Sequence, residues 1–178
     1  MSNFFFIERK SNKINSPLIV LIHGYGSNER DLFSLIDYFP IDSYVISLRA
    51  PKELFNDSYA WYDIYLDSNN KFYDHDAAAR VRDELFHFID DLSKSPNIDS
   101  DNITLIGFSQ GAILSHAISF SYPEKIKNII ALSGVVDEKI MKKTSLIPKT
   151  NIYISHGTND NLISYETSIE SLNFYIEN

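Results

Sequence analysis

The chain is 178 residues long, with 44% hydrophobic and 13% aromatic residues, which is enough for one core and too little for two comfortable domains. We therefore expect a single domain spanning residues 1–178. Acidic residues outnumber basic ones by 24 to 16, and the formal net charge of −8 argues against a nucleic-acid-binding surface. The sequence has no cysteine, which excludes disulfide bonds, a thiolate metal site and a cysteine nucleophile, and suits a reducing compartment.

The apolar segments of the chain are short. The N-terminal run FFFI at 4–7 is interrupted by Glu8, Arg9 and Lys10, so it is too short for the core of a signal peptide. No uninterrupted apolar run reaches the length needed to cross a bilayer. We expect a cytoplasmic protein without a transmembrane segment.

Taken in chain order, short runs rich in Val, Ile and Leu alternate with segments of helical period, which is typical of strand–helix units around a mainly parallel sheet. Residues 51–74 are crowded with aromatic side chains and lack a clear period, which predicts a long loop of the kind that lines a site. We therefore predict an α/β fold, a mostly parallel central sheet with helices on both faces. The expected strands are 4–7 at an edge, 18–22, 44–48, 103–106, 126–132 and 152–155, and the expected helices are 28–39, 77–94, 110–121 and 164–176.

The motif GFSQG at 107–111 is the strongest chemical signal in the chain. It follows the apolar run ITLI and opens a helical segment, which is the strand–turn–helix setting that presents a nucleophilic serine at the top of a sheet. Its glycines allow strand, turn and helix to pack closely. The alternative is a small-residue turn with an exposed serine. We predict that Ser109 is a nucleophile.

A nucleophilic serine needs donors for the oxyanion that forms at the attacked carbonyl. The amide of the next residue, Gln110, is one expected donor. The segment HGYGSN at 23–28 follows another expected strand and offers the amide of Tyr25 as the second donor, with Gly24 letting the backbone approach a substrate. Alone, such a segment is equally well read as an ordinary strand-to-helix turn.

Asp160 is the expected carboxylate of a catalytic triad. It lies in SHGTNDNLI, at the mouth of the sheet after the last expected strand, and it follows the serine in the order Ser then Asp. Asp137 and Asp63 are weaker candidates, and a turn role is the alternative for Asp160 itself.

Together these segments resemble the serine carboxylesterase and lysophospholipase group of α/β-hydrolases, which also contains the acyl-protein thioesterases. The resemblance implies an α/β-hydrolase fold, with Ser109 as nucleophile, Asp160 as triad acid and the Tyr25 and Gln110 amides as oxyanion hole. It also implies that Trp61 and Tyr62 lie near the acyl pocket. The matching pieces span residues 18–163 and are LIHGYGSNERDL, SLRAP, YAWYDI, IGFSQGAIL, ALSG and SHGTNDNLI.

In that family the catalytic histidine follows the aspartate, in a Gly-His turn beyond one more helix and strand. This sequence has five histidines, and none follows His156. We therefore expect the fold to lack the family's last strand and helix, and the activity to be impaired. His23 and His156 are the candidates for a substitute base, and each is also explained as a turn residue that holds a loop. The strand at 152–155 would then be an exposed apolar edge, which favours a homodimer.

The resemblance favours a hydrolase that cleaves a small ester or thioester through an acyl-serine. The alternatives are a non-catalytic protein that binds acyl ligands and an interaction module that uses its edge strand. No pair of histidines has ligand spacing on one helix and no nucleotide-binding loop is present, so neither a metal nor a cofactor is expected.

Overall fold

The computed structural model describes residues 4–67 and 70–177. The described part contains ten strands and four α-helices, with 3₁₀ turns at Ile36–Tyr38 and Glu138–Ile140. The strands are β1 Phe6–Arg9, β2 Ser16–Ile22, β3 Tyr44–Leu48, β4 Lys52–Phe55, β5 Ser58–Ala60, β6 Ile64–Asp67, β7 Asn70–Tyr73, β8 Ile98–Phe108, β9 Asn128–Leu132 and β10 Asn151–Ser155. The helices are α1 Arg30–Phe33, α2 His75–Ser93, α3 Gln110–Ser121 and α4 Tyr165–Glu177.

Six strands form the central sheet in the order β1-β3-β2-β8-β9-β10. β1 is antiparallel to β3, and every other pair in this sheet is parallel. The carboxyl ends of the parallel strands therefore share one edge, where open α/β sheets place their sites. The predicted mostly parallel α/β sheet is confirmed.

Helices cover both faces of the sheet. On one face the buried side of α2 and the whole of α3 close the larger core, which includes Val20, Leu105 and Leu114. All residues of α3 are buried, as expected of a helix that is apolar all round. On the other face Leu32 of α1 packs on Leu21 and neighbouring side chains.

The segment expected to be a long loop, 51–74, is instead built mainly of two antiparallel hairpins, β4–β5 and β6–β7. Asn56 and Asp57 connect β4 to β5 with φ of 31° and 62°. A two-residue turn with positive φ at both positions suits a hairpin, and Asn and Asp tolerate that conformation. This Asn-Asp pair was a hairpin signal in the sequence.

The helix expected at 28–39 is also wrong in length, since α1 ends at Phe33 and a 3₁₀ turn follows. The guanidinium of Arg9, in β1, donates hydrogen bonds to the carbonyl oxygens of Ile36 and Pro40 at 2.8 and 2.7 Å. These carbonyls therefore bond to a strand residue instead of to the amides of a longer helix. Pro40 itself cannot continue a helix. By contrast, α2 begins two residues before the expected start, where Asp74 accepts the Ala77 amide at 3.0 Å as its N-cap.

Candidate active site

Ser109 occupies a strained turn between β8 and α3. Its φ of 50° and ψ of −113° lie in a region that side chains other than glycine's rarely adopt. The turn is held because the Ser109 amide donates to the Leu132 carbonyl at 2.8 Å, at the end of the adjacent strand. Such a turn raises the serine above the sheet edge, which is the geometry that the GFSQG motif predicts.

The two glycines of the motif are required by packing. A Cβ at Gly107 would lie 2.4 Å from the Gly111 carbonyl oxygen, and one at Gly111 would lie 2.0 Å from the Ile22 carbonyl oxygen. Both distances are far below any real contact of a Cβ atom. The start of α3 therefore approaches the ends of β8 and β2 without room for a side chain.

The HGYGSN loop lies directly against the serine. A Cβ at Gly24 would be 3.3 Å from the Ser109 Cβ and 2.9 Å from the Phe108 ring. The β4–β5 hairpin fixes the loop from the other side, since Gly26 N–H donates to the Tyr59 carbonyl and the Ser58 hydroxyl to the Gly26 carbonyl, at 2.8 and 2.6 Å. The structure thus brings Gly24 and Ser109 together, as the sequence predicts.

The backbone amides of Tyr25 and Gln110 belong to the two turns that meet at Ser109. Gln110 opens α3, and the first amides of a helix have no acceptor within it and carry its positive end. The Ala112 and Ile113 amides turn back to the Ser109 carbonyl, at 2.9 and 3.1 Å. Tyr25 follows Gly24, at which an added Cβ would lie 3.3 Å from the Ser109 Cβ.

Trp61 and Tyr62, expected near the acyl pocket, are buried residues of the core. Their side chains are only 2% and 3% exposed, and both belong to the main core cluster. The exposed aromatic side chains beside the serine are Tyr25 and Phe108, at 42% and 40% exposed. Phe108 was missed in the sequence, although it stands next to the nucleophile in the motif.

The carboxamide of Gln110 connects the nucleophile turn to this buried pair. Its oxygen accepts the Trp61 backbone N–H at 3.0 Å, and its nitrogen donates to the Tyr62 carbonyl at 2.8 Å. The Trp61 indole N–H in turn donates to the His23 carbonyl at 2.8 Å. The side chain of Gln110, which the sequence pointed to only for its amide, is therefore part of the site's framework.

His23 is a structural residue in this site. It is completely buried, and burial lowers the pKa of its imidazole below 6.5. Its Nε2 accepts the Ala50 backbone N–H at 3.0 Å, so the proton sits on Nδ1, which donates to the Gly24 carbonyl at 2.7 Å. Both ring nitrogens are occupied, and the expected loop-holding role is confirmed.

Asp160 and His156 contact each other in the loop after β10. Asp160 Oδ1 accepts the Leu162 and Ile163 amides at 2.8 and 3.0 Å, and Oδ2 lies 3.5 Å from His156 Nε2. The same Nε2 is 2.8 Å from the Ile163 carbonyl oxygen and carries the hydrogen of that bond. The imidazole is buried, with Nδ1 unpartnered among the described residues. His156 thus holds the loop, as expected, and does so with the predicted triad carboxylate.

The other histidines are engaged elsewhere. His116 is fully buried in α3, and its Nδ1 lies 2.7 Å from the Tyr175 hydroxyl of α4. His75 lies 3.8 Å from Asp137 at the start of α2, and His87 contacts the Phe86 and Tyr122 rings. Within 4–67 and 70–177, no imidazole is hydrogen-bonded to the Ser109 hydroxyl.

An ion pair with a buried carboxylate, next to the HGYGSN loop, was not foreseen. The Glu29 carboxylate is buried at the start of α1 and accepts two hydrogen bonds from the Arg49 guanidinium, at 2.6 and 2.7 Å. These bonds lower the pKa of Glu29 below its usual 4.5. Arg49 also stacks on the Phe5 and Tyr59 rings. The pair ties the segment after β3 to the loop after β2.

Among the side chains that the structure describes, no group of three acidic or histidine residues could hold a metal ion. None of the described helices combines the length and apolarity of a membrane span.

A strained serine between a parallel strand and a helix, set against a glycine-rich loop from a neighbouring strand, defines an α/β-hydrolase. The chain belongs to the phospholipase/carboxylesterase family, whose model matches residues 2–178. The predicted fold and family are confirmed.

Individual relatives agree with this assignment. The chain is 26% identical to MhqD of Bacillus subtilis over 86% of this chain and 74% of MhqD. It is 30% identical to acyl-protein thioesterase 1 of Schizosaccharomyces pombe over 67% of this chain and 54% of the thioesterase, and so spans about half the length of that relative. The crystal structure of the Bacillus cereus carboxylesterase shares the fold, with a TM-score of 0.82 at 24% identity, covering 98% of this chain and 80% of the carboxylesterase.

Proposed function

We propose that this protein is a serine hydrolase that cleaves a carboxylic ester or thioester through an acyl-enzyme on Ser109. The observation that carries the proposal is the strained Ser109 turn, held at the positive end of α3 and packed against Gly24. Membership of the phospholipase/carboxylesterase family supports the same reaction class. Asp160 is the proposed triad acid.

In the first half of this reaction, Ser109 Oγ forms a bond to the carbonyl carbon while its proton passes to a base and the carbonyl π electrons move to oxygen. The Tyr25 and Gln110 amides stabilise this oxyanion. Collapse breaks the bond to the leaving alkoxide or thiolate, which takes up a proton, and leaves an acyl-serine. Water then attacks the acyl-serine in the same way, releases the carboxylic acid and restores the serine hydroxyl.

His156, with Asp160, is the imidazole–carboxylate pair at the catalytic edge. Ser109 and His156 follow the matched sheet positions Phe108, Leu132 and Ser155 on three neighbouring strands. With strands spaced by about 4.8 Å, their backbones lie about 10 Å apart, beyond direct hydrogen bonding in this conformation. Proton transfer from Ser109 to His156 would need a bridging water or a shift of the 156–163 loop.

The second candidate is a protein that binds acyl ligands without turnover. It is favoured by the lack of a described imidazole bonded to the Ser109 hydroxyl. The two candidates differ in whether the ester is hydrolysed. They share the same binding pocket, because both retain Ser109 and the proposed oxyanion amides.

Hydrolysis of p-nitrophenyl acetate separates the candidates, measured for the natural chain, Ser109→Ala and His156→Ala. Turnover that is lost in Ser109→Ala supports the hydrolase, and its loss in His156→Ala as well would assign the base. No turnover, together with binding of phenylboronic acid that requires Ser109, supports the binding protein. A chain that shows no turnover and no Ser109-dependent binding would contradict both candidates.

Tyr25 and Phe108 are the proposed contacts for the acyl or aryl group, since they are the exposed aromatic side chains beside Ser109. Trp61 and Tyr62 are proposed to act from beneath, by holding the backbone of the site. We propose small esters as substrates in preference to long lipids, and rates across a series of acyl chain lengths test this. A maximum at long chains would contradict it.

A cytoplasmic location and a homodimer complete the proposal. The cytoplasm is proposed from the cysteine-free composition, and subcellular fractionation of the producing cells tests it. The dimer is proposed from β10, which ends the described sheet and carries an exposed Tyr153.

A further inference from the structure

A continuous set of buried hydrogen bonds connects the two proposed oxyanion donors. It starts at Gln110, whose amide is one donor and whose carboxamide accepts from the Trp61 N–H and donates to the Tyr62 carbonyl, at 3.0 and 2.8 Å. The Gln110 side chain is buried, so these bonds are made away from water. A buried carboxamide with both ends satisfied has one orientation and holds its partners in place.

The next link is the Trp61 indole. Its N–H donates to the His23 carbonyl at 2.8 Å, and its ring lies 5.3 Å from the His23 ring, centre to centre. His23 is the first residue of the HGYGSN loop at 23–28, which carries the proposed Tyr25 donor. The Trp61 side chain therefore joins the residue after the nucleophile to the loop that carries the second donor.

The last link is the His23 imidazole. Because the Ala50 amide can only donate, Nε2 of His23 must accept and Nδ1 must carry the hydrogen that bonds the Gly24 carbonyl at 2.7 Å. The Gly24 carbonyl and the Tyr25 N–H belong to one planar trans peptide and point in opposite directions. A hydrogen bond that fixes the Gly24 carbonyl therefore also fixes the direction of the Tyr25 N–H.

We propose that Gln110, Trp61 and His23 form a brace that sets the position and direction of the Tyr25 and Gln110 amides relative to each other. The inference rests on the proposed acyl-transfer site and goes beyond it. It makes the three side chains positioning residues for the oxyanion and not contacts of the substrate. Cooperative polarisation along the bonds also makes the Tyr25 N–H a stronger donor.

A purely structural role would give these bonds a part in stability alone. The distinction is testable, because an oxyanion donor acts on the tetrahedral state and much less on the ground state. Loss of the brace should therefore lower kcat, leave KM nearly unchanged and weaken a tetrahedral adduct. Loss of a buried hydrogen bond elsewhere should lower only the free energy of unfolding.

The experiment compares Trp61→Phe with Tyr175→Phe. The first removes the buried hydrogen bond to the His23 carbonyl, and the second removes the partly buried one between Tyr175 and His116, away from the site. For each we measure kcat and KM for p-nitrophenyl acetate, the affinity for phenylboronic acid, which forms a tetrahedral adduct on Ser109, and the free energy of unfolding in urea. Ser109→Ala shows which part of the boronate affinity requires the adduct.

We expect Trp61→Phe to lower kcat and the Ser109-dependent boronate affinity together, by about 10- to 100-fold, with KM changed less than about threefold. Tyr175→Phe should keep kcat and the boronate affinity of the natural chain, while it lowers the free energy of unfolding by an amount similar to that for Trp61→Phe. Unchanged values in Trp61→Phe, or equal losses in Tyr175→Phe, would overturn the brace. If the natural chain binds the boronate without turnover, the boronate affinities alone decide. If the natural chain shows neither turnover nor boronate binding, the proposed function and the brace are both overturned. That result is obtained before any variant is made.

A measurement on the natural chain covers the case in which Trp61→Phe does not fold. Nitrogen-15 NMR of the imidazole at pH 7 should show His23 neutral with its hydrogen on Nδ1. A neutral ring with its hydrogen on Nε2 would remove the bond to the Gly24 carbonyl, and an imidazolium would remove the acceptor of the Ala50 amide. Either result would overturn the brace.

Discussion

Gly111 lies so close to Ile22 that a Cβ at position 111 would be 2.0 Å from the Ile22 carbonyl oxygen. The nearest atoms are backbone at the end of β2, which cannot move aside as a flexible side chain could. We predict that Gly111→Ala destabilises the protein by roughly 1–3 kcal/mol or more, because over-packing forces the backbone to shift. The free energy of unfolding in urea measures this.

Gly157→Ala is the matched control, because a Cβ at that position would have no atom within 4 Å. It should change the free energy of unfolding by less than about 0.5 kcal/mol. Equal effects of the two substitutions would mean that α3 does not approach β2 as described.

Ser109→Gly should raise stability while it removes the nucleophile. Glycine adopts the φ of 50° and ψ of −113° without the penalty that a side chain incurs there, so we expect a gain of about 1 kcal/mol or more. Ser109→Ala also removes the hydroxyl, but keeps a Cβ and therefore the strain. A thermal or urea unfolding comparison of the two variants isolates the backbone term, and a glycine variant no more stable than the alanine variant would show that the turn is relaxed.

The sequence predicted the elements that depend on local pattern. All six central strands were foreseen, because buried parallel strands appear as near-continuous apolar runs. The Ser109 turn was foreseen because the serine and its two glycines form a recognisable motif within five residues, although Gly111 makes its closest approach to Ile22 on another strand. These features need only neighbours in sequence to be recognised.

Contacts between distant segments could not be predicted in the same way. Trp61 reads equally as a pocket aromatic or a core aromatic, and only its bonds to Gln110 and His23 decide for the core. The Glu29–Arg49 pair joins residues that are 20 apart in the sequence. Nothing in the polar residues around Glu29 indicates that its carboxylate is buried. Their partners are set by tertiary packing, which no periodicity reports.

Arg49→Lys should destabilise the protein by roughly 1–3 kcal/mol, because lysine cannot make the two-pronged bond to the buried Glu29 carboxylate. Arg30→Lys is the control, since Arg30 is 67% exposed, its ion pair with Asp57 lies at the surface, and its contact with the Glu29 carboxylate is a single long one at 3.9 Å. We expect it to change stability by less than about 0.5 kcal/mol. Urea unfolding at pH 7 measures both, and equal losses would contradict the buried pair.

The same pair gives a pH dependence. The pKa of Glu29 is lowered in the folded state, so its contribution is present above about pH 4.5 and is lost as the pH falls through the folded pKa. Arg49→Lys should make the acid limb of stability shallower. Asp83 and Asp90, whose pKa values are also lowered, should retain their part.

His116 predicts a second pH effect at milder acidity. Burial lowers its pKa from 6.5 to about 4, so the unfolded chain binds the proton more readily and stability is lost as the pH falls from 6.5 towards 4. The loss reaches about 2 kcal/mol at pH 5, since 1.5 units at 1.36 kcal/mol each have then been crossed. His116→Leu should reduce the slope over this range and leave the part that comes from His23, whose pKa is also lowered by burial, as measured by urea unfolding from pH 7.5 to 4.5. His87→Gln, at an exposed position, should keep the slope, and a slope retained in His116→Leu would show that His116 is not its source.

Tyr153 should control self-association through β10. Its side chain is 61% exposed on a strand that pairs with β9 on one side and ends the described sheet on the other. An apolar edge strand of this kind pairs readily with a second edge, and a lysine there opposes such pairing because it places like charges at the contact. We expect Tyr153→Lys to shift the protein towards the monomer in sedimentation equilibrium, with the free energy of unfolding of the monomer changed by less than about 0.5 kcal/mol.

Tyr38→Lys is the control, since Tyr38 is still more exposed but lies outside the strands, in the 3₁₀ turn after α1. Association that is unchanged in Tyr153→Lys, or weakened equally in Tyr38→Lys, would place the dimer contact elsewhere.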